Sequence, residues 1–320
     1  MMGKWENVVE IVLDTCMKLK PAEKVLIVTD KKMEPISNLF AKKLEERKHK
    51  YKMLKMKPTA MDGEEPPRDV AEEMKKHDVE LLITSRSLTH TRARKEASKK
   101  GARIATMPNI AMETFERAID VDYVAMKRLT LKFIGLINKG SSMRATTEKG
   151  TDIQFSIENR DGHGSHPGLY HEKGKYGNLP DGEAFVAPVE GTANGAYVVD
   201  ASIGGIGVVD KPVRITVKDG YATKIEGEKS ALQYNALLGK AGKEARNIAE
   251  FGIGTNEKAV ICGNLLEDEK VMGTAHIALG NNTGFGGKVD VPLHIDGVFL
   301  KPTIWIDEKK VMEHGKLLIR

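Results

Sequence analysis

Helical and strand patterns alternate along the chain from Trp5 to about Lys139, and few architectures accommodate such an alternation. Apolar residues at helical spacing open this segment, and KVLIVTD (Lys24 to Asp30) then predicts a buried strand. Three further cycles follow, in which helical patterns precede the predicted strands YKMLKMK, VELLITS and ARIATMP. Strands that alternate with helices predict a parallel sheet with helices on its faces, so we expect an α/β domain.

The pattern changes at Lys139-Gly140, where a long helical segment ends. The following residues are rich in glycine and form short alternating segments, with hairpin turns predicted at Lys149-Gly150 and Asp219-Gly220. One helical stretch, from about Ser230 to Glu250, interrupts these segments, and a hairpin is predicted near 304–319. The second half is therefore expected to be mainly β.

The length of the chain supports two domains, because 320 residues are too many for a single compact core of typical size. The change in pattern divides the chain into an α/β domain, residues 1–140, and a β-rich α+β domain, residues 141–320. Acidic residues and histidines concentrate at glycine-rich turns of the second half. We therefore expect the functional site in the second domain.

Composition and charge exclude several classes of protein. The net charge of +5 is small for this length, and no basic stretch with interleaved aromatic residues resembles a nucleic-acid platform. No apolar run approaches the roughly 18 residues that span a bilayer, and the N-terminal segment lacks the apolar run of a signal peptide. Cys16 and Cys262 lie far apart, in no spacing typical of a disulfide framework or a zinc site. We expect a cytoplasmic protein that binds neither nucleic acid nor membranes.

Two glutamates occupy positions from which a side chain can leave a regular element. Glu183 follows a Pro-Asp-Gly turn and enters the predicted strand EAFVAP. Glu250, in AEFGIGTN, is predicted to end a helix just before two glycines. Each is a weak signal by itself, and for Glu250 the alternative is an ordinary surface residue at a helix end.

The histidines of the second half strengthen the case for a metal site. His276 lies on an apolar, strand-like stretch, where a single histidine is more often part of the core. His294 and Asp296 are two residues apart on a predicted strand, so both side chains project from the same face. Imidazoles and carboxylates suit zinc, manganese, cobalt or ferrous iron. Two such ions that share carboxylates would polarise a carbonyl and generate a hydroxide near neutral pH.

Several motifs occur in the order found in a known family. The first half contains SLTHTRARKEA followed by GARIATMP. The second half contains NLPDGEAFVAPVEGTANG, AEFGIGTN, EKVMGTAHIALG and the H-x-D pair. Together these motifs resemble the thermophilic metallopeptidase family that includes aminopeptidase T and aminopeptidase S, and the resemblance spans most of the chain.

The resemblance implies a two-metal aminopeptidase, a hydrolase that removes N-terminal residues from peptides. It implies two zinc, cobalt or manganese ions held by Glu183, Glu250, His276, His294 and Asp296. A metal-bound hydroxide would attack the peptide carbonyl, with Glu269 as general base. The resemblance also implies a homodimer.

The chain departs from those peptidases at two positions. Val271 stands where they carry a glutamate five residues before the first histidine, and Glu269 lies seven residues before it. Thr283 stands where they carry a tyrosine seven residues after that histidine. The phenol of the peptidases is therefore missing.

The same motifs are shared by a ring-cleaving relative, the dihydroxypyridine dioxygenase, whose length is nearer to that of this chain. In this alternative, Glu250, His294 and Asp296 would match a facial triad on one ferrous iron, with open positions for oxygen and a small-molecule substrate. His90, in SLTH, would be an acid or base from the first domain. The remaining predicted ligands, which a second metal would require, favour the hydrolase. They also argue against a third alternative, an inactive binding or assembly protein.

A histidine-rich loop, HGSHPGLYH, precedes the GNLPDGE motif. It contains His163, His166 and His171, which would line the entrance to the site or contribute a proton relay. Histidines on such a loop are as often incidental, and their spacing fits neither a helix face nor a strand face. Their role stays open at this point.

Overall fold

The structure, a computed structural model, describes residues 4–164, 166–239 and 241–319. These residues form two compact units. The first unit comprises described residues of 1–123 and 166–181, and the second comprises described residues of 124–165 and 182–320. This partition differs from the predicted division at residue 140, because the long helix before that point groups with the second unit and a later segment returns to the first.

Helices alternate with strands in the first part of the chain, and strands predominate after it. The described helices are α1 (Lys4–Glu10), α2 (Glu34–Glu46), α3 (Arg68–Met74), α4 (Arg92–Lys100), α5 (Met112–Ala118), α6 (Tyr123–Ile137), α7 (Lys229–Gly239) and α8 (Leu265–Asp268). The strands of the first 160 residues are β1 (Val25–Thr29), β2 (Tyr51–Lys55), β3 (Val79–Ile83), β4 (Arg103–Thr106), β5 (Ser142–Thr146) and β6 (Asp152–Ser156). The next strands are β7 (Tyr176–Asn178), β8 (Glu183–Val186), β9 (Asn194–Val199), β10 (Ser202–Ile203), β11 (Gly207–Val208), β12 (Val213–Lys218) and β13 (Tyr221–Glu226). The last strands are β14 (Ile248–Gly254), β15 (Thr274–Gly280), β16 (His294–Leu300), β17 (Thr303–Ile306), β18 (Lys309–Glu313) and β19 (Lys316–Leu317).

Three short helical segments complete the description. They are a π-helical turn that continues α1 (Ile11–Cys16) and two 3-10 turns (Lys243–Arg246 and Thr283–Phe285). Among the described residues, no helix has both the length and the apolar character needed to cross a membrane.

The first unit is built on a five-stranded parallel sheet with the order β2-β1-β3-β4-β7. Every residue of β1, β3 and β4 is buried, as expected for a parallel sheet whose two faces are covered. Leu26, Leu82 and Ile104 extend from adjacent strands into one apolar cluster with Met74 of α3. The predicted parallel sheet with flanking helices is therefore confirmed, whereas neither α5 nor the three-residue strand β7 was predicted.

Local sequence explains where α4 begins and ends in the first unit. The side chain of Thr91 accepts a hydrogen bond from the backbone N–H of Arg94 at 3.2 Å, which caps the first turn. Gly101 ends the helix in the left-handed conformation, at φ 103°. These two signals give α4 its bounds, Arg92–Lys100, and the helical pattern expected before ARIATMP is present.

The second unit contains two antiparallel sheets. One has eight strands in the order β13-β12-β9-β6-β5-β17-β18-β19, and the other has six in the order β11-β10-β16-β15-β14-β8. Side chains from both sheets form one apolar core, in which the rings of Phe155 and Phe251 lie 5.3 Å apart. The prediction of a β-rich second half is confirmed. The hairpin predicted at Asp219-Gly220 is also present, and both residues have positive φ angles as a tight turn requires.

One helix prediction in the second unit is wrong. The helical stretch expected from Ser230 to Glu250 ends as α7 at Gly239, and β14 begins at Ile248. The segment AEFGIG alternates between apolar and small or acidic residues, which is the pattern of a strand with one face in a core. Glu250 is consequently a strand residue.

The centre of the parallel sheet contains an isolated acid. Glu80 lies on β3 between Leu26 and Ile104 of the neighbouring strands, and it has no solvent exposure. Among the residues that the structure describes, neither of its carboxyl oxygens has a hydrogen-bond partner. Burial raises the pKa of Glu80 well above its usual value, so the folded protein retains this proton to a higher pH than the unfolded chain does.

This burial predicts a pH dependence of stability that the Glu80→Gln variant should lose. Above the unfolded-state pKa of 4.5, the unfolded chain releases a proton that the folded protein retains. The free energy of unfolding of the wild type should therefore fall as pH rises, by at most about 1.4 kcal/mol per pH unit from this group. Urea unfolding at several pH values should show a weaker fall for Glu80→Gln. Parallel pH profiles would contradict the prediction.

Candidate metal centre

The six-stranded sheet has one apolar face and one acidic face. On β14, Phe251 and Ile253 enter the core of the second unit. Because side chains alternate along a strand, Glu250, Gly252 and Gly254 lie on the opposite face. The strands on either side continue this division, so polar groups and glycines share one surface of the sheet.

The strand register brings the five predicted ligands together on that surface. Glu250 is aligned across the sheet with Ala278 and Asp296. The remaining three residues lie in neighbouring rows, each paired with a glycine: Glu183 with Gly254, His276 with Gly252, and His294 with Gly280. Glycine and alanine at the intervening positions leave space in front of the sheet for the longer polar side chains.

A β-bulge determines the direction of Glu250. The register shifts between Ile248 and Glu250, so that Ile248 pairs with Leu279 whereas Glu250 pairs with Ala278. Without the additional residue, two positions separated by two would point to the same face. The bulge lets Ile248 enter the core while Glu250 faces the cluster.

The donor atoms form two overlapping groups. One atom each of Glu250, His294 and Asp296 lies within 4.8 Å of the others, and the same holds for Glu183, Glu250 and His276. His294 Nε2 lies 3.3 Å from Glu250 Oε2 and 3.6 Å from Asp296 Oδ1. His276 Nε2 lies 3.3 Å from Glu250 Oε1 and 3.3 Å from Glu183 Oε2. Glu250 is therefore common to both groups.

The orientation of His294 fits a metal ligand. Its Nδ1 lies 2.7 Å from the carbonyl oxygen of Asn281, which can only accept, so Nδ1 carries the proton in the neutral ring. The Nε2 lone pair then faces the oxygens of Glu250 and Asp296. A lone pair that faces two carboxylates is repelled unless a cation lies among them or the ring takes up a second proton. This donor set therefore suits a divalent metal.

His276 differs from His294 in its surroundings. It is fully buried, and its Nδ1 has no hydrogen-bond partner within the described part of the chain. Gly252 lies directly beneath the imidazole, since a Cβ atom at that position would be 2.0 Å from His276 Nε2. The glycine thus makes room for the ring, but no described residue forms a hydrogen bond that would fix His276 Nδ1.

Burial and mutual contacts shift the pKa values of the cluster in opposite directions. Burial alone would raise the pKa of Glu250, but hydrogen bonds from His276 and His294 lower it below its usual value. Burial raises the pKa of Glu183 to about 8, against the opposing effect of Lys270. Burial would lower the pKa of His276, but Glu250 and the other carboxylates raise it to about 9. The electrostatic potential of the cluster is negative, so the cluster favours bound positive charge.

Lys270 supplies part of that charge and was not predicted. It is 1% exposed, and its Nζ lies 2.8 Å from Glu183 Oε1 and also contacts the carboxylate of Glu269. The two acids before Glu269 have a different function. Glu267 and Asp268 accept hydrogen bonds from backbone N–H groups of residues 260–263, so they brace a loop.

An aromatic group borders the cluster on the side of His294. Phe285 meets the His294 ring edge-to-face at 5.8 Å and the Phe185 ring at 5.6 Å. His163 stacks on Phe185 at 5.3 Å and lies 6.1 Å from Phe285. Phe285 was not predicted as a site residue. The sequence did offer a signal, because this aromatic residue lies only two positions after Thr283, where the peptidases carry a tyrosine.

The other predicted histidines belong to the first unit. His90 is an exposed residue of the turn before α4, and its expected role as acid or base stays a prediction. His171 Nε2 lies 2.7 Å from the carbonyl oxygen of Thr15, and His166 is partly buried. Residue 165 of the same loop lies outside the described residues. The histidine-rich loop is therefore divided, and only His163 borders the acidic cluster.

Comparison with known proteins identifies relatives over the whole chain. Residues 4–319 match the family model described as NicX: 2,5-dihydroxypyridine 5,6-dioxygenase. A curated 2,5-dihydroxypyridine 5,6-dioxygenase of Pseudomonas putida is 23% identical over 262 residues, which cover 75% of this chain and 71% of that protein. The resemblance to a family group shared by this dioxygenase and the aminopeptidases is confirmed.

Solved structures show the same fold. The 2,5-dihydroxypyridine dioxygenase from Pseudomonas putida KT2440 superimposes with a TM-score of 0.85 at 19% identity, covering 100% of this chain and 99% of that one. Wild-type AmpT from Thermus thermophilus superimposes with a TM-score of 0.73 at 15% identity, covering 99% of each chain.

The predicted aminopeptidase activity is wrong, as are the hydrolase and protease classes that went with it. The family model and the curated relative are dioxygenases, and AmpT is similar in fold alone. The general-base role of Glu269 belonged to peptide hydrolysis and loses its support with it. The alternative of a ring-cleaving enzyme is the one that the findings favour.

The close contact of Gly252 with His276 generates a test of the site. In Gly252→Ala, the added methyl group would overlap the imidazole, so His276 and its partner Glu250 must move. We expect the Kd for Mn²⁺ to rise at least about tenfold in calorimetric titration. Gly135→Ala, on α6 of the same unit, is the control, because a Cβ there has no atom within 4 Å. Equal affinities in the two variants would contradict the prediction.

Proposed function

Because the chain belongs to the 2,5-dihydroxypyridine 5,6-dioxygenase family, we propose that it is a metal-dependent dioxygenase that cleaves a hydroxylated aromatic ring. The metal is a single divalent ion, ferrous iron by analogy with other ring-cleaving oxygenases, held by Glu250, His294 and Asp296. The substrate is a small hydroxylated heteroaromatic compound of the dihydroxypyridine type.

The arrangement around His294 is the observation that carries this proposal. Donor atoms of His294 and Asp296 on β16 and of Glu250 on β14 converge within 4.8 Å, and the imidazole is oriented by the Asn281 carbonyl. Asn281 is itself fixed, because its backbone N–H donates to the carbonyl of Leu293 and its side-chain amide donates to Asp290. Three protein ligands on one side of an ion leave the remaining positions for oxygen and substrate.

The composition of this donor set has a chemical consequence. Oxygenases of this kind typically use two imidazoles and one carboxylate, whereas this chain offers His294 with Glu250 and Asp296. When bound, ferrous iron would supply the Lewis acidity and one-electron redox chemistry that allow oxygen to react with an aromatic ring. Two carboxylates make the donor set harder and more anionic, so manganese and iron should both bind well.

The rings of Phe285, Phe185 and His163, which lie beside His294, favour a planar substrate. Phe285 is partly exposed, and its ring edge faces His294 while its other contacts are Phe185 and His163. Aromatic pairs prefer offset or edge-to-face contacts, so this group would hold a flat ring beside the metal ligands and exclude water from it. His163 adds an imidazole to these side chains, which would be available to hydrogen-bond a ring hydroxyl of the substrate.

A homodimer and a cytoplasmic location, expected from the resemblance and the composition, are retained as part of this proposal. The protein is proposed to bind neither nucleic acid nor membranes. The His90 role in acid or base chemistry is likewise retained as an expectation.

Removal of a metal ligand should abolish both metal binding and oxygen consumption. We expect His294→Ala and Glu250→Ala to lose the metal, measured by elemental analysis, and to lose at least about a thousandfold in kcat/KM with 2,5-dihydroxypyridine, measured by oxygen uptake. His314→Ala, an exposed histidine on the same unit, is the control and should behave as the wild type. A wild type that binds no divalent metal would favour an inactive binding protein instead.

Substitution of Phe285 should affect the substrate rather than the metal. Phe285→Leu removes the ring edge beside His294 while leaving all five acidic and imidazole donors in place. We expect KM to rise by about two- to tenfold, equivalent to the ~0.5–1.5 kcal/mol of an aromatic pair, with an unchanged metal content. Trp305→Leu, an aromatic substitution on β17, is the matched control. An unchanged KM in Phe285→Leu would contradict the role of this aromatic group.

A further inference from the structure

A lysine lies inside the cluster of predicted metal ligands. Lys270 follows α8 and Glu269, and its side chain is almost completely buried. Its ammonium group contacts two carboxylates, those of Glu183 and Glu269. A buried lysine is rare unless it is paired, so these contacts explain how the charge is tolerated.

The backbone holds this lysine rigidly. The carbonyl of Lys270 accepts a hydrogen bond from Asn256 N–H at 2.9 Å, and Met272 N–H donates to the Asn256 carbonyl at 3.0 Å. Gly254 permits this close approach, because a Cβ there would lie 2.1 Å from the Val271 carbonyl oxygen. The position of the ammonium group is therefore built into the fold.

We propose that the Lys270 ammonium takes the place of a second divalent cation, so that the site holds one metal and Glu183 is a counter-ion rather than a ligand. This inference rests on the proposed one-metal function and specifies how the fold enforces it. The Lys270 ammonium then lies beside Glu183, where the two-metal arrangement would place its second ion.

Geometry supports the exclusion of a second ion. The group Glu183, Glu250 and His276 has the spacing of a metal site, but Lys270 Nζ already lies 2.8 Å from Glu183 Oε1. A divalent ion bound to Glu183 would sit roughly 2 Å from a carboxylate oxygen, and hence close to the ammonium charge. Two cations at that separation repel each other strongly in a buried site.

The two histidines provide an independent argument. A metal-binding histidine almost always donates its other ring N–H to an acceptor, and His294 does so to Asn281. His276 Nδ1 has no partner among the described residues. Only the histidine of the Glu250–His294–Asp296 group is therefore oriented as a metal ligand.

Charge balance points the same way. Four carboxylates face this cluster: Glu183, Glu250, Glu269 and Asp296. The Lys270 ammonium offsets part of this negative charge without a metal. The cluster therefore needs less positive charge from bound ions than it would need without the lysine.

Removal of the lysine should create the second site. We expect wild-type protein titrated with Mn²⁺ to bind one ion per chain and to show the six-line electron paramagnetic resonance signal of an isolated ion. Lys270→Met, which keeps a long unbranched side chain, should bind two ions with an exchange-coupled signal, because Glu250 is common to both groups. The control Lys270→Met/Glu183→Gln, which lacks a ligand of the new site, should return to one ion.

Glu183→Gln in an otherwise wild-type chain tests the same inference if Lys270→Met fails to fold. Since Glu183 is a counter-ion in this proposal, the variant should still bind one Mn²⁺ with a Kd within about threefold of the wild type. A tenfold or greater loss would overturn the inference, as would two ions in the wild type or one ion in well-folded Lys270→Met. If the wild type binds no metal, the proposed function fails and the inference fails with it.

Discussion

Compensation of buried negative charge is the constraint on which the site and its sheet depend. Glu183, Glu250, Glu269 and Asp296 approach one another on a face from which water is largely removed. Carboxylates in such surroundings destabilise a fold unless cations or hydrogen-bond donors compensate them. The chain provides one compensating charge itself, through Lys270. In the proposed function a bound divalent ion would supply more, and metal binding would then stabilise the folded second unit.

The shared fold explains why the resemblance led to the wrong chemistry. The ordered motifs lie on strands and turns of this fold, and the dioxygenase and AmpT structures both share the fold. Function depends on the few residues that complete the site. Here Thr283 stands where the resemblance to the aminopeptidases would place a tyrosine, Phe285 supplies an aromatic edge beside His294, and Lys270 places a positive charge next to Glu183. The five predicted ligands alone did not separate the two chemistries.

Much of the architecture and most of the acidic cluster could be predicted from local patterns. The alternation of apolar runs predicted the parallel sheet, and the spacing of His294 and Asp296 placed both on one strand face. The strand at Glu250 was missed because a preceding helical pattern was extended through a segment with a period of two. A bulge at that point cannot be read from spacing, since it depends on the register with β15. Lys270 was missed for a similar reason, because its partner Glu183 is 87 residues away.

The return of the chain to the first unit has a consequence for biosynthesis. Strand β7 pairs with β4 at the edge of the parallel sheet, yet it is translated after α6, β5 and β6 of the second unit. A nascent chain that ends before residue 176 therefore presents the unpaired N–H and C=O groups of β4 as an open edge. Because synthesis proceeds from the N-terminus, the ribosome must deliver part of the second unit before the first can close its sheet. The two units are thus interdependent in the order in which they mature, although each has its own core.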